Sequence, residues 1–158
     1  MTHQPTKNQF ADADNARKED QKQVMQEILA AEHCPFCPEQ LAKYHHQPNL
    51  KDGQYWIITP NQWPYDNTQY HWLAILKEHK ERFNELTAAE SAELFQLLGE
   101  LEAEYGIVGG GLGIRFGDTD YSAGTVRHLH AQYIIPDILK PDFQPVRLKI
   151  GKQWEKRT

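Results

Sequence analysis

The stretch Ser122-Ala123-Gly124-Thr125-Val126-Arg127-His128-Leu129-His130-Ala131-Gln132-Tyr133-Ile134-Ile135-Pro136 passes from small, turn-favouring residues into an alternation of polar and apolar side chains. A period of two is that of a half-buried strand, so Val126 to Ile135 is expected to be one. Successive side chains on a strand point to opposite faces, which puts His128, His130 and Gln132 on one side and Leu129, Ala131 and Tyr133 on the other. The second row can fill a core. The first cannot be buried without partners, so it should meet a ligand, a metal or water. A His-x-His pair is also compatible with a purely structural role, and its surroundings have to decide between the two.

Outward from this strand, the chain reads as a set of short strands around one long helix. Thr87 followed by Glu90 is a capping box, and Leu94, Leu97, Leu98 and Leu101 recur along one helical face up to Tyr105. Gly106 and Gly109 to Gly111 then lead into a strand over Leu112 to Phe116. No Gly-Lys-Ser or Gly-Lys-Thr follows these glycines, so they are a connection and not a Walker loop. Tyr55 to Thr59 and Tyr70 to Leu76 are β-branched and aromatic runs on either side of a turn-rich loop, the pattern of an antiparallel pair. Val24, Met25, Ile28 and Leu29 mark a short helix from Asp20 to His33, ended by Cys34-Pro35. The alternation Val146, Leu148, Ile150 suggests a closing edge strand in a tail with prolines at 136, 141 and 145. These elements add up to an α+β domain.

Length and composition set limits on function. The 158 residues match one ordinary domain, expected over 19–158 behind a flexible, polar N-terminal arm over 1–18. A hydrophobic share of 39% and a charged share of 25% describe a soluble globular chain. The net charge of −5 disfavours nucleic acid, whose phosphates require clustered Lys and Arg, but leaves room for a small anionic substrate. No apolar run approaches a bilayer span, and no basic segment precedes an apolar one at the amino terminus, so no membrane and a cytoplasmic setting are expected.

The two cysteines, Cys34 and Cys37, are two residues apart, which suits a metal or redox pair better than a disulfide scaffold. Redox pairs usually follow a strand and open a helix, whereas this pair follows a helix. Two thiolates make only half a zinc site, and His45, His46, His71 and His79 are all available to extend it.

The stretch from Ser122 to Pro136 resembles the signature of the histidine-triad superfamily, in which a small-residue loop enters a histidine-bearing strand. The usual pattern has three alternating histidines, and here Gln132 stands in the third position. His-x-His-x-Gln looks like the branch containing galactose-1-phosphate uridylyltransferase and the dinucleoside polyphosphate phosphorylases. The run His71-Trp72-Leu73-Ala74-Ile75-Leu76-Lys77-Glu78-His79 also resembles the family, with Leu76 where members often have proline. The likeness extends from Cys34 to Pro136.

The resemblance implies a histidine-triad-like fold: an antiparallel sheet of about five strands, one long helix and a short N-terminal helix, assembled as a homodimer. It implies a nucleotidyl transferase or phosphorylase acting on the α-phosphate of a nucleotide conjugate, such as a dinucleoside polyphosphate or a nucleoside diphosphate sugar. His130 matches the nucleophile that becomes covalently nucleotidylated. Gln132 cannot act as a general acid, but its amide can donate to a phosphoryl oxygen. Ser122, Gly124 and Thr125 match the loop that meets the phosphates, and Asn61 matches a contact to a ribose hydroxyl. Trp63 and Tyr65 would stack on a base or pack the loop. Cys34, Cys37, His79 and His128 match a structural zinc site, with His71 the rival of His79. His128 would thereby support catalysis by orienting the strand that carries His130. Hydrolysis of the same conjugates, a noncatalytic nucleotide-binding module and a zinc-stabilised interaction domain are the competing readings.

Overall fold

A computed structural model of the chain describes residues 10–153. Its centre is one five-stranded antiparallel sheet in the order β1-β2-β3-β5-β4, with β1 at Lys51–Asp52, β2 at Trp56–Pro60, β3 at Thr68–Leu76, β4 at Gly111–Arg115 and β5 at His130–Pro136. The helices are α1 (Glu19–Ala31), α2 (Pro38–Tyr44), α3 (Ala88–Tyr105) and the single turn α4 (Thr119–Ser122). The α+β architecture, the long helix and the short N-terminal helix agree with the sequence reading. The short helices α2 and α4 and the two-residue β1 are additions to it. Among the described residues no helix is long and apolar enough to cross a membrane.

The two faces of the sheet do different work. Leu94, Leu97, Leu98 and Leu101 of α3 pack on Trp56, Ile58, Trp72, Ala74, Leu76, Leu129 and Ala131 to form the main core. Helix α3 begins where the capping box predicts, with Thr87 Oγ1 accepting from the Glu90 N–H at 3.2 Å and the Glu90 carboxylate accepting from the Thr87 N–H at 2.7 Å. One turn further on, the Glu93 carboxylate accepts the backbone N–H groups of Gln54, Tyr55 and Trp56 at 2.7, 2.6 and 2.9 Å, fastening the helix to the loop between β1 and β2. A Cβ at Gly53 would lie 2.8 Å from that carboxyl group, so a side chain there would displace it from these N–H groups.

The opposite face carries His71, Leu73, Ile75, His130 and Gln132. Register places Gln132 across from Leu73 on one side and Gly113 on the other, and His130 between Ile75 and Arg115. Directly opposed residues in an antiparallel pair share a face, so Arg115 stands beside His130.

Three expectations change. The strand expected from Val126 begins only at His130, because the residues before it pair elsewhere: Val126 bridges Ala11, the Asp12 N–H donates to Thr125 at 2.8 Å and the Arg127 N–H donates to Phe10 at 2.9 Å. The same pairing holds residues 10–18 of the expected flexible arm on the domain. Ala11 is fully buried, and the Asp12 carboxylate accepts from the Thr119 hydroxyl at 3.1 Å; residues 1–9 of that arm lie outside the described residues. The closing edge strand over Val146 to Ile150 is absent. Leu148 instead sits over Gly113, where a Cβ would collide with it, so the tail crosses the face of β4 and forms no ladder along its edge.

Candidate active site and metal centre

Cys34 follows α1, and Cys37 is the N-cap of α2, with Pro38 at the first helical position, where a missing N–H costs nothing. His79 lies just past β3 and His128 just before β5, brought together because the Leu129 N–H donates to the Lys80 carbonyl at 2.7 Å. The four donor atoms all fall within 4.8 Å of one another. Cys34 Sγ and His79 Nδ1 are each 3.2 Å from His128 Nδ1, and Cys37 Sγ is 3.6 Å from His79 Nδ1. A tetrahedral ion with bonds of about 2.0–2.3 Å requires edges of this size.

The ring nitrogens are set for ligation. His128 Nε2 donates to the Leu76 carbonyl at 2.5 Å, which leaves the Nδ1 lone pair facing the cysteines. His79 Nε2 faces the Glu81 carboxylate at 3.5 Å, the outer partner that ligating imidazoles commonly have. Burial pushes the Cys34 thiol up to about 12, so in this pocket the thiolate form that a metal binds requires a cation to stabilise it. The donor set therefore fits a metal ion. His71 lies elsewhere, bonded to Tyr65 and Gln132, and is not a rival ligand. His45 pairs with the Thr59 hydroxyl.

Beside this cluster a cleft opens over the sheet, with His130, Gln132, Asn61 and Thr125 in its lining. His130 Nδ1 donates to the His128 carbonyl at 2.7 Å; a carbonyl can only accept, so Nδ1 carries the proton and the Nε2 lone pair is free. Phe36 packs edge-on against the ring at 5.1 Å. Burial lowers the His130 pKa to about 4, keeping the imidazole neutral at ordinary pH, the form in which it is a nucleophile.

Gln132 is oriented through His71. The Tyr65 N–H donates to His71 Nδ1 at 2.9 Å, so His71 carries its proton on Nε2 and gives it to Gln132 Oε1 at 2.9 Å. The Gln132 amide nitrogen consequently turns both hydrogens away from His71, on the side of the cleft. Asn61 Oδ1 accepts from the Trp63 N–H at 2.9 Å and shapes the loop that closes one end. Trp63 donates to Asp20 at 2.9 Å, and Tyr65 packs on His71 at a centroid distance of 4.4 Å, so both aromatics hold the loop.

Ser122 and Gly124 lie behind the cleft wall. Ser122 Oγ accepts from the Gly124 N–H at 3.2 Å, and the Gly124 carbonyl accepts from Asn15 at 2.9 Å, so they brace the loop that presents Thr125. Three lining residues escaped the sequence reading: Arg17, Arg115 and Lys149. Arg115 was discoverable only from strand register; Arg17 lies in a polar segment without periodicity, and Lys149 in a tail whose alternation suggests an edge strand that does not form.

No family model matches the chain, and no curated protein does. Among solved structures, a HIT family hydrolase from Clostridium thermocellum is similar with a TM-score of 0.51 at 23% identity, over 73% of this chain and 96% of that one. A hypothetical protein from Leishmania major is similar with a TM-score of 0.53 at 22% identity, over 75% of this chain and 86% of that one. The chain thus has the histidine-triad fold.

Proposed function

We propose that this chain is a nucleotidyl transferase or phosphorylase that works through a covalent nucleotidyl-histidine at His130. The observation that carries the reading is the tautomer of His130: its proton is committed to the His128 carbonyl, and its free Nε2 faces a cleft lined by cations in a chain of net negative charge. In the first step Nε2 attacks the α-phosphorus, the bond from phosphorus to the bridging oxygen breaks, and the electron pair leaves with that oxygen. The positive charge that builds on the ring is spread to Nδ1–H and its carbonyl partner. Gln132 donates its amide hydrogens to a non-bridging oxygen as charge accumulates there. In the second step an acceptor oxygen attacks phosphorus, the Nε2–P bond breaks with its electron pair returning to Nε2, and His130 is again neutral.

The cleft suits a nucleoside, with Val24, Met25, Phe36 and Leu73 supplying apolar surface to its lining and Asn61 placed to meet a ribose hydroxyl. Cys34, Cys37, His79 and His128 would hold zinc as a closed four-ligand site. Such an ion stabilises the junction between the cysteine loop and the strand and offers no open position to water. The exposed apolar side chains of Val108, Leu112, Ile138 and Leu139 beside β4 support a homodimer.

The test is product analysis with a dinucleoside tetraphosphate, with and without added inorganic phosphate. Phosphorolysis yields a nucleoside diphosphate that contains the added phosphate, whereas hydrolysis yields only the monophosphate from the attacked end. Absence of turnover for every conjugate tried would contradict the reading.

A further inference from the structure

Three cations that the steps above leave unused converge on the mouth of the cleft from distant parts of the chain: Arg17 from the N-terminal segment, Arg115 from the end of β4 and Lys149 from the C-terminal tail. Tyr65 supports the two arginines. The Arg17 guanidinium lies 4.1 Å from the centre of its ring, and Arg115 Nη1 donates to its hydroxyl at 3.1 Å. Arg115 Nη2 donates to the Lys149 carbonyl at 2.8 Å, anchoring the tail there, and Arg17 Nη2 donates to the Trp63 carbonyl at 2.5 Å. Among the described residues none of the three forms an ion pair, although the neighbouring Asp66 acts on Arg17 through space. Like charges lining one cleft repel, and an anion between them removes that cost.

The group has a direction. Arg115 faces His130 across the ladder, and a second groove continues outward from the cleft, where Arg17, Arg115, Arg147 and Lys149 outnumber the one carboxylate in its lining, Asp66. An extended anion whose first phosphorus lies at His130 would run past Arg115, between Arg17 and Lys149, and on towards Arg147.

The chemistry of Gln132 points the same way. When the His130 Nε2 to phosphorus bond forms and the bridging P–O bond breaks, the leaving oxygen gains one negative charge. An amine or alcohol leaving group would need a proton, and Gln132 has no acidic proton to give. A polyphosphate leaving group needs none, provided that cations take up the added charge.

The geometry points to a polyphosphate subsite: Arg17, Arg115 and Lys149 hold the phosphates beyond the one attacked, which makes the substrates nucleotide conjugates whose leaving group carries two or more phosphates. This inference rests on the reading of His130 as nucleophile, and its test does not depend on turnover. Tripolyphosphate and orthophosphate are titrated calorimetrically into the full-length protein and into Arg17→Gln, Lys149→Met and the double variant, each checked for an unchanged melting transition. Tripolyphosphate is expected to bind saturably to the natural protein, at least about tenfold more tightly than orthophosphate, and to lose about tenfold in affinity with each cation removed. The natural protein's affinity should also fall steeply with added salt, a readout that requires no variant. Equal affinity in the variants, equal affinity for orthophosphate, or no saturable binding would overturn the subsite. A missing adduct at His130 alongside intact tripolyphosphate binding would instead count against the nucleophile and leave the anion site standing.

Discussion

His71 Nε2 donates to Gln132 Oε1 at 2.9 Å, and this bond decides which way the only amide in the signature points. With the Tyr65 N–H fixing the opposite tautomer nitrogen, His71 acts as a buried, neutral orienter and not as an acid or a ligand. Replacing Gln132 with Ala should lower kcat by about 100-fold with little change in KM, the signature of a donor used mainly in the transition state. His71→Phe should give a smaller loss in kcat, and a steady-state comparison of the two variants with their double mutant should show strong non-additivity. Simple additivity would mean that His71 does not act through Gln132.

The pH dependence of stability follows from His71 with a defined sign. Burial lowers its pKa to about 4, below the value of about 6.5 expected in the unfolded chain. Between those values the unfolded chain binds the extra proton, so stability is fully present above pH 6.5 and is eroded as pH falls through 4, by up to about 3 kcal/mol. Urea unfolding at a series of pH values should show a slope in this window that is shallower in His71→Asn.

Metal removal should loosen the signature strand. Cys34→Ser and Cys37→Ser should each reduce zinc from about one ion per chain to a small fraction, measured by elemental analysis, and a chelator should lower the melting temperature of the natural protein but not of either variant. Unchanged zinc content in both variants would remove these cysteines from the site.

Glu93 offers a control remote from chemistry. Its carboxylate satisfies three backbone N–H groups between β1 and β2, so Glu93→Ala should cost about 2–3 kcal/mol in equilibrium unfolding while leaving kcat unaffected.

Much of this architecture was readable in residue order, and the exceptions have physical causes. The Thr87 and Glu90 capping box and the leucine spacing of α3 are local signals, and they located the helix that fills the core. The alternation in His128 to Gln132 correctly separated a core row from a cleft row, even though His128 stands outside the ladder, because its side chain still turns to the cysteines. The start of β5 was not readable: whether Val126 pairs with the sheet or with Ala11 depends on a segment more than a hundred residues away. Helix α2 was hidden by Pro38, which looks like a breaker but occupies the first helical position. The tail carries strand-like alternation, yet Leu148 finds its contact over Gly113, a position vacant only because residue 113 lacks a side chain. Arg17 and Arg115 meet on Tyr65, and Lys149 joins them because its carbonyl accepts from Arg115, a tertiary arrangement that no spacing rule encodes.

If His130 Nε2 forms a bond to phosphorus, that bond can be trapped. The protein is mixed with nucleotide conjugates labelled at the α-phosphate, quenched under alkaline denaturing conditions that preserve phosphoramidates, and examined for protein-bound label. An acid-labile adduct that maps to the peptide containing His130 and is absent from His130→Ala is the expected result. Turnover of the same conjugates by His130→Ala at the natural rate, with no adduct in either protein, would contradict it.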